Sequence, residues 1–277
     1  MSSAGAPVCV NHSDRPAYVS CQRCGRHICP ECQTPGAVGV ICPDCFSAER
    51  RSTPARVRRA GLIGRANGAI ATYAIMAITL VVFVLQLIPG LGVTNALLYA
   101  GAFSAPGSFE PWRMFTTMFV HSTGMLLHVG LNMYTLWIFG RLLEPFIGTW
   151  RFVALYLISG LAGSVGVLWL ADPFTPVVGA SGAIFGVIGA FMVIHRSLGG
   201  NTTQLYLLVG LNLVIGFMPG TGIAWQAHIG GLVGGAAVGW LFANTRRTDQ
   251  QARQKLGLVA ITVALLVLSL RYVVLGA

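Results

Sequence analysis

Apolar residues are unevenly distributed along this 277-residue chain. The first 68 residues are polar and broken by prolines and arginines. Beyond them, apolar runs recur at about 18–22 residues, the length that crosses a bilayer core as a helix. They fall near 70–90, 124–142, 151–171, 181–198, 204–218, 224–243 and 256–275. The fourth and fifth are short and need partners to span. The pattern predicts an all-α polytopic membrane protein preceded by a small polar domain. Expected boundaries are 1–48 for the polar domain, 49–68 for a basic linker, 69–244 for a six-helix membrane core, and 245–277 for a basic loop and a seventh transmembrane helix. No period of about 20–50 residues marks a solenoid. The N-terminus lacks the charged segment and apolar run of a signal peptide.

Composition sharpens this picture. Residues are 55% hydrophobic and only 9% charged, against about 25% charged in a soluble domain. Mean hydropathy is +0.70. A disordered chain, a nucleic-acid-binding domain and an ordinary soluble enzyme are excluded. The net charge of +10 matters through its placement. With the N-terminus inside, sixteen of the eighteen Lys and Arg residues lie on the inner side, and only Arg113 and Arg271 lie outside. The positive-inside rule therefore predicts a cytoplasmic N-terminus and an extracytoplasmic C-terminus. Segment 91–123 lies outside; it either dips into the outer leaflet or forms an ordinary loop.

All seven cysteines fall between Cys9 and Cys45. The spacing reads Cys9-x-x-His12, Cys21-x-x-Cys24, Cys29-x-x-Cys32 and Cys42-x-x-Cys45. Two ligands two residues apart converge readily on one tetrahedral ion. Eight ligands suffice for two structural zinc ions. A disulfide framework is the competing reading; the odd count and a cytosolic location argue against it. So few apolar residues could hardly fold without a staple. Spacing alone leaves the pairing of the four pairs open. His27 is a spare candidate ligand or a surface residue.

Polar groups inside apolar spans are expensive and need a reason. Here they form a small set: Ser181 at the start of the fourth span, His228 in the sixth, and His128 with Asn132 in the second. The last two are four residues apart, on one helix face. All four fall in the outer halves of inward-running spans, at similar depth. A serine hydroxyl needs a base to become a nucleophile, and His228 can meet Ser181. Glycines on both segments, Gly182 and Gly186, then Gly231 and Gly235, allow close backbone approach. An acyl-transfer intermediate needs oxyanion donors. His128, Asn132 and the Ser181 N–H can supply them. Glu110, Asp172 and Glu144 lie outside the spans, so a Ser–His dyad is favoured over a triad. Taken singly, each residue also has a packing or hydrogen-bonding explanation.

Several motifs together resemble the signature set of rhomboid intramembrane serine proteases. They are Trp112-Arg113, His128-x-x-x-Asn132, Gly140-x-x-x-Glu144-x-x-x-Gly148 after the second span, Gly179-Ala-Ser181-Gly-Ala-Ile-Phe-Gly186, and Ala227-His228-Ile-Gly-Gly231-x-x-x-Gly235. The resemblance covers roughly residues 70–244. It implies a six-helix rhomboid core with a water-filled cavity open to the outside. Ser181 would be the nucleophile and His228 the base, with His128 and Asn132 at the oxyanion. Phe185 occupies the position of an aromatic that stacks on the base. Gly179, Gly231, Gly235, Trp112 and Arg113 would support the site. His121 matches another family histidine, with a longer spacing to His128. The fifth span and the Pro219–Gly222 loop would form a lateral gate and cap. The N-terminal pattern resembles a B-box-type zinc finger, which interleaves its pairs. That resemblance implies one zinc held by Cys9, His12, Cys29 and Cys32, and another by Cys21, Cys24, Cys42 and Cys45.

The implied function is an intramembrane serine endopeptidase that cleaves transmembrane segments of membrane proteins. It needs no catalytic cofactor. Its expected partners are the bilayer, substrates with a transmembrane helix and a cytosolic protein bound by the zinc domain, with no nucleic acid. The expected location is a bacterial plasma membrane. Substrate helices with small or helix-breaking residues near their outer ends should be favoured, because a helical peptide bond must unwind before attack. The alternatives are a catalytically inactive rhomboid-like protein that binds or remodels membrane clients, and a zinc-tethered scaffold or transporter.

Overall fold

The computed structural model describes residues 7–35, 39–52, 68–218 and 220–272. Most of the expected linker and Pro219 lie outside them, as do 1–6, 36–38 and 273–277. The chain divides into two compact units, Met1–Ala66 and Asn67–Ala277.

The first unit consists of three short antiparallel hairpins and a helix. Strands β1 (Val8–Cys9) and β2 (His12–Pro16) pair, as do β3 (Val19–Ser20) with β4 (His27–Ile28) and β5 (Thr34–Pro35) with β6 (Val40–Ile41). Helix α1 (Pro43–Ser52) follows. Its buried core holds Ala17, Ile28 and Ile41 beside Cys9, Cys21, Cys29, Cys32 and Cys42. Sulfur thus supplies more of this interior than hydrocarbon side chains do.

The second unit is helical. Its long helices are α2 (Ile70–Gln86), α5 (Leu126–Ile147), α6 (Thr149–Leu170), α7 (Ser181–Ser197), α8 (Thr203–Phe217), α9 (Trp225–Asn244) and α10 (Gln251–Ser269). Two short helices, α3 (Val93–Leu97) and α4 (Arg113–Thr116), lie between α2 and α5. Each of the seven expected apolar segments carries a helix. Among the described residues, two stretches, Thr149–Leu170 and Thr248–Ser269, are long and apolar enough by length and composition to cross a membrane.

One expected boundary moves. Hydropathy puts the second apolar segment near 124–142, with the Glu144 motif after it. Helix α5 instead continues to Ile147, with Glu144 and Pro145 inside it. The carboxylate is buried but not wasted. It accepts from the Ala71 and Thr72 N–H groups and the Thr72 hydroxyl, all at 2.8 Å, and from the Thr149 hydroxyl at 3.0 Å. Helix α2 has no side-chain cap from its own flank, so a residue about seventy positions away satisfies its orphan donors.

The centre of the unit is a three-helix contact of α6, α7 and α9, built on glycine. A Cβ added at Gly163 would lie 3.1 Å from the Ala227 oxygen and 3.4 Å from the Gly182 Cα. One at Gly182 would lie 3.2 Å from the Ala227 oxygen. One at Gly189 would lie 2.7 Å from the Leu232 oxygen. At Gly231 and Gly235 it would run into the backbones of Gly182 and Gly186. In contrast, α8 buries only Val209 and Gly216. Helix α10 is fastened at both ends. Gln254 accepts from Arg151 Nε at 2.6 Å and donates to the Thr245 carbonyl and hydroxyl oxygens. At its far end, Trp169 Nε1 donates to the Leu268 oxygen at 3.0 Å.

Two outcomes follow. Gly235→Ala should destabilise the unit by about 1–3 kcal/mol through overpacking. Gly210→Ala on α8, where a Cβ meets nothing within 4 Å, should be neutral or stabilising. Thermal unfolding in detergent compares them; equal midpoints would refute the packing account. Glu144→Ala should cost about 2–4 kcal/mol by stranding buried donors, and Glu144→Gln less, read in the same assay.

Candidate active site and metal clusters

In the N-terminal unit, the ligand atoms of Cys9, His12, Cys29 and Cys32 all lie within 4.8 Å of one another, and so do those of Cys21, Cys24, Cys42 and Cys45. A tetrahedral zinc with Zn–S of about 2.3 Å and Zn–N of about 2.0 Å has S···N edges near 3.5 Å and S···S edges near 3.8 Å. His12 Nδ1 lies 3.4 Å from the sulfurs of Cys29 and Cys32 and 3.8 Å from that of Cys9. The Cys24 and Cys42 sulfurs are 3.8 Å apart. The donors therefore fit such an ion. Donors also converge on the sulfurs: the Cys42 N–H on Cys21 at 3.2 Å, and Arg26 on Cys24 at 3.3 Å and Cys42 at 3.6 Å. The Arg26 guanidinium holds the Cys24 thiol below its ordinary pKa, which favours the thiolate that binds metal. His27 is exposed, 3.4 Å from the Ser20 hydroxyl, and belongs to neither cluster.

In the helical unit, Ser181 is the first residue of α7, where a helix has unpaired N–H groups. Phe185 lies one turn further along the same face. Its ring stacks on His228 of α9, with centroids 4.1 Å apart and an 8° interplanar angle. The next residue after Ser181 and the one before His228 are the touching pair Gly182 and Ala227. The close helix contact thus joins the sequence neighbours of Ser181 and His228. His228 is buried, and its Nδ1 has no hydrogen-bond partner among the described residues. No carboxylate stands behind it there.

On the other side of Ser181, His128 Nδ1 accepts the Ser122 N–H at 3.3 Å. An imidazole accepting at Nδ1 carries its proton on Nε2 when neutral. That Nε2 faces Gly179: a Cβ there would lie 2.8 Å from it and 3.8 Å from the Ser181 hydroxyl. Gly179 has φ +126°, which other residues rarely adopt. A side chain at 179 would therefore crowd the space between His128 Nε2 and the Ser181 hydroxyl. Asn132 is buried, and its amide donates to the His128 carbonyl at 2.8 Å. A small cavity of about 20 Å³ lies beside Ser181, lined by Thr117, Gly163, Ser164, Gly179, Gly182 and Ala227.

Trp112 and Arg113 are not brought to the serine. Arg113 braces the 91–116 segment: it pairs with Glu110, donates to the Asn95 and Leu98 carbonyls, and lies over the Phe103 ring. Trp112 is largely exposed. Segment 91–123 is thus folded, with short helices and 3-10 turns. His121 is central. Fully buried, it accepts the Ala180 N–H at Nε2 (3.3 Å) and packs edge-on against His128 at 5.1 Å. Thr117 was missed by sequence reasoning. Its carbonyl accepts the Gly179 N–H, and its hydroxyl donates to the Val177 carbonyl. Nothing in an irregular segment's spacing announces such contacts.

A family model for the rhomboid domain matches residues 108–245, and one for the B-box zinc finger matches residues 5–37. "Rhomboid protease GluP" of Bacillus subtilis is 34% identical over 176 residues, covering 59% of this chain and 33% of that protein. "RHOMBOID-like protein 6, mitochondrial" of Arabidopsis thaliana is 33% identical over 168 residues, covering 53% and 52%. "Putative rhomboid protease YdcA" of Bacillus subtilis is 33% identical over 137 residues, covering 48% and 67%. The chain thus spans about a third of the first relative's length and half of the second's. The rhomboid match spans the helices that bear His128, Ser181 and His228, and with a relative 33% identical of which two thirds is covered, the chain belongs to the rhomboid family and carries a B-box zinc finger at its N-terminus.

Proposed function

We propose that this chain is an intramembrane serine endopeptidase that cuts transmembrane segments of membrane proteins with a Ser181–His228 dyad. The observation that carries the reading is the stack of His228 on Phe185, one turn from Ser181, beside the Gly182–Ala227 contact. His228 takes the Ser181 proton as the hydroxyl attacks the scissile carbonyl, then gives it to the leaving amine. The His128 Nε2–H and the Ser181 N–H receive the oxyanion, with Asn132 beside them. Water then hydrolyses the acyl-enzyme, again with His228 as base. The cavity beside Ser181 suits a small substrate side chain next to the scissile bond.

The same reading makes the six helices from α2 to α9 that exceed one short turn the protease core (69–244) and α10 an added span (245–277). The N-terminus faces the cytoplasm of a bacterial cell and the C-terminus lies outside, in line with the arginine distribution. Helix α8, with its many exposed apolar side chains, is the gate for a substrate helix arriving from the bilayer. Residues 1–48 hold two structural zinc ions, one on Cys9, His12, Cys29 and Cys32 and one on Cys21, Cys24, Cys42 and Cys45. All four positions of each are filled by protein, which leaves none for catalysis. The zinc unit would bind a cytosolic protein.

Cleavage of a single-span reporter in proteoliposomes tests the dyad. Wild type should cut, and Ser181→Ala and His228→Ala should each lose at least about 10³-fold in kcat. Cleavage by Ser181→Ala would refute the mechanism. A folded wild type that binds reporters without cutting any would favour the client-binding alternative. Elemental analysis tests the metal: about two zinc per chain should fall to about one in Cys9→Ser/Cys29→Ser, and chelation should melt the N-terminal unit. Full folding of that unit in metal-free protein would overturn the assignment.

A further inference from the structure

Gln86 is the last residue of α2 and belongs to none of the motifs above. Its side-chain amide grips the backbone N–H and C=O of one residue in a distant segment. Oε1 accepts the His121 N–H at 3.0 Å, and Nε2 donates to the His121 carbonyl at 2.8 Å. The second Nε2 proton goes to the Thr94 hydroxyl, also at 2.8 Å. Both donors of the amide are thereby used. Gln86 pairs with His121 as a neighbouring strand would, though residues 120–122 belong to no strand or helix.

The gripped residues face the reaction centre in two ways. The His121 ring accepts the N–H of Ala180, the residue before Ser181. The Ser122 N–H, on the same peptide unit as the His121 carbonyl that Gln86 binds, occupies His128 Nδ1 and so puts the proton on Nε2, toward Gly179 and Ser181. If residues 121–122 shift, both the start of α7 and the tautomer of His128 lose their reference.

We propose that Gln86 is a positioning residue for the oxyanion site: by clamping the His121 peptide it selects the Nε2–H tautomer of His128 and aligns Ala180–Ser181. This rests on the protease reading for its kinetic consequence, but the tautomer claim stands on geometry alone. Gln86 touches neither substrate nor the reacting atoms. Its loss should therefore lower kcat by about ten- to a hundredfold, less than the 10²–10³-fold of deleting an oxyanion donor outright, with KM within about twofold.

The test uses the full chain in proteoliposomes. Gln86→Ala and Gln86→Glu are compared with wild type and with Thr94→Ala, which removes the amide's other partner and leaves the clamp. Gln86→Glu keeps an acceptor for the His121 N–H, cannot donate to its carbonyl, and retains the shape if Gln86→Ala folds poorly. Kinetics are read with a cleavable single-span reporter, and folding by thermal unfolding. The His128 tautomer is read from its ring ¹⁵N shifts. The expected result is a kcat loss in both Gln86 variants at near-wild-type unfolding temperature, little change in Thr94→Ala, and His128 shifts moving from one tautomer toward a mixture. Wild-type kcat in Gln86→Glu, or His128 shifts identical to wild type, would overturn the proposal. An inactive wild type would count against the protease reading instead, and the ¹⁵N shifts would still decide the clamp.

Discussion

Three helix backbones meet at Gly163, Gly182 and Ala227, and the arrangement of the helical unit depends on that contact. A membrane environment offers helices little hydrophobic reason to associate, because lipid tails are as apolar as leucine. Close packing must supply the attraction. Glycine at 163, 166, 182, 186, 189, 231 and 235 lets carbonyls and Cα atoms of facing helices approach to van der Waals distance. Each such glycine weakens its own helix by about 1 kcal/mol relative to alanine, so the packing must more than offset that cost. The neighbours of the contact then inherit their places. Ser181 precedes Gly182, His228 follows Ala227, and Phe185 stacks on the histidine one turn below the serine.

The other half of the site is held by hydrogen bonds between irregular segments. The irregular segment leading to Ser181 is tied at Val177 to Tyr99, at Val177 and Gly179 to Thr117, and at Ala180 to His121. These partners all lie between α2 and α5, in a region braced by Arg113 and Gln86. Close helix packing thus sets the neighbours of Ser181 and His228, while hydrogen bonds between irregular segments hold the His121 and His128 side. Helix α8 buries only two residues, so far less packing holds it than holds the helices that carry Ser181 and His228.

The N-terminal unit solves a different problem. Three short hairpins and a helix cannot bury enough hydrocarbon to fold on that basis. Among the described residues, Ala17, Ile28 and Ile41 are the buried apolar side chains that join the cysteines in its core. Two clusters of four ligands, with edge lengths suited to a tetrahedral ion, take over the role of a hydrophobic interior. Arg26, reaching Cys24, Cys42 and Asp44, offsets some of the negative charge that thiolates bring.

Much of this was legible in the sequence. Hydropathy located the helices because an apolar run of that length has few other stable forms, and two-residue ligand spacing marked the metal clusters because short loops converge on one ion. The motif residues named Ser181 and His228 for the same local reason: a small residue, a glycine and a polar group recur at helical spacing. Where one long-range partner decides, the sequence was silent. It ended the second span before Glu144, since hydropathy charges full cost for a buried carboxylate. The α2 terminus, seventy residues earlier in the chain, supplies the donors that remove that cost. Motif resemblance pointed to His121 but carried no sign of Thr117 or Gln86, whose segments have no period to read. Local chemistry and repeat spacing are written along the chain; the pairing of a lone donor with a distant acceptor exists only once the helices have packed.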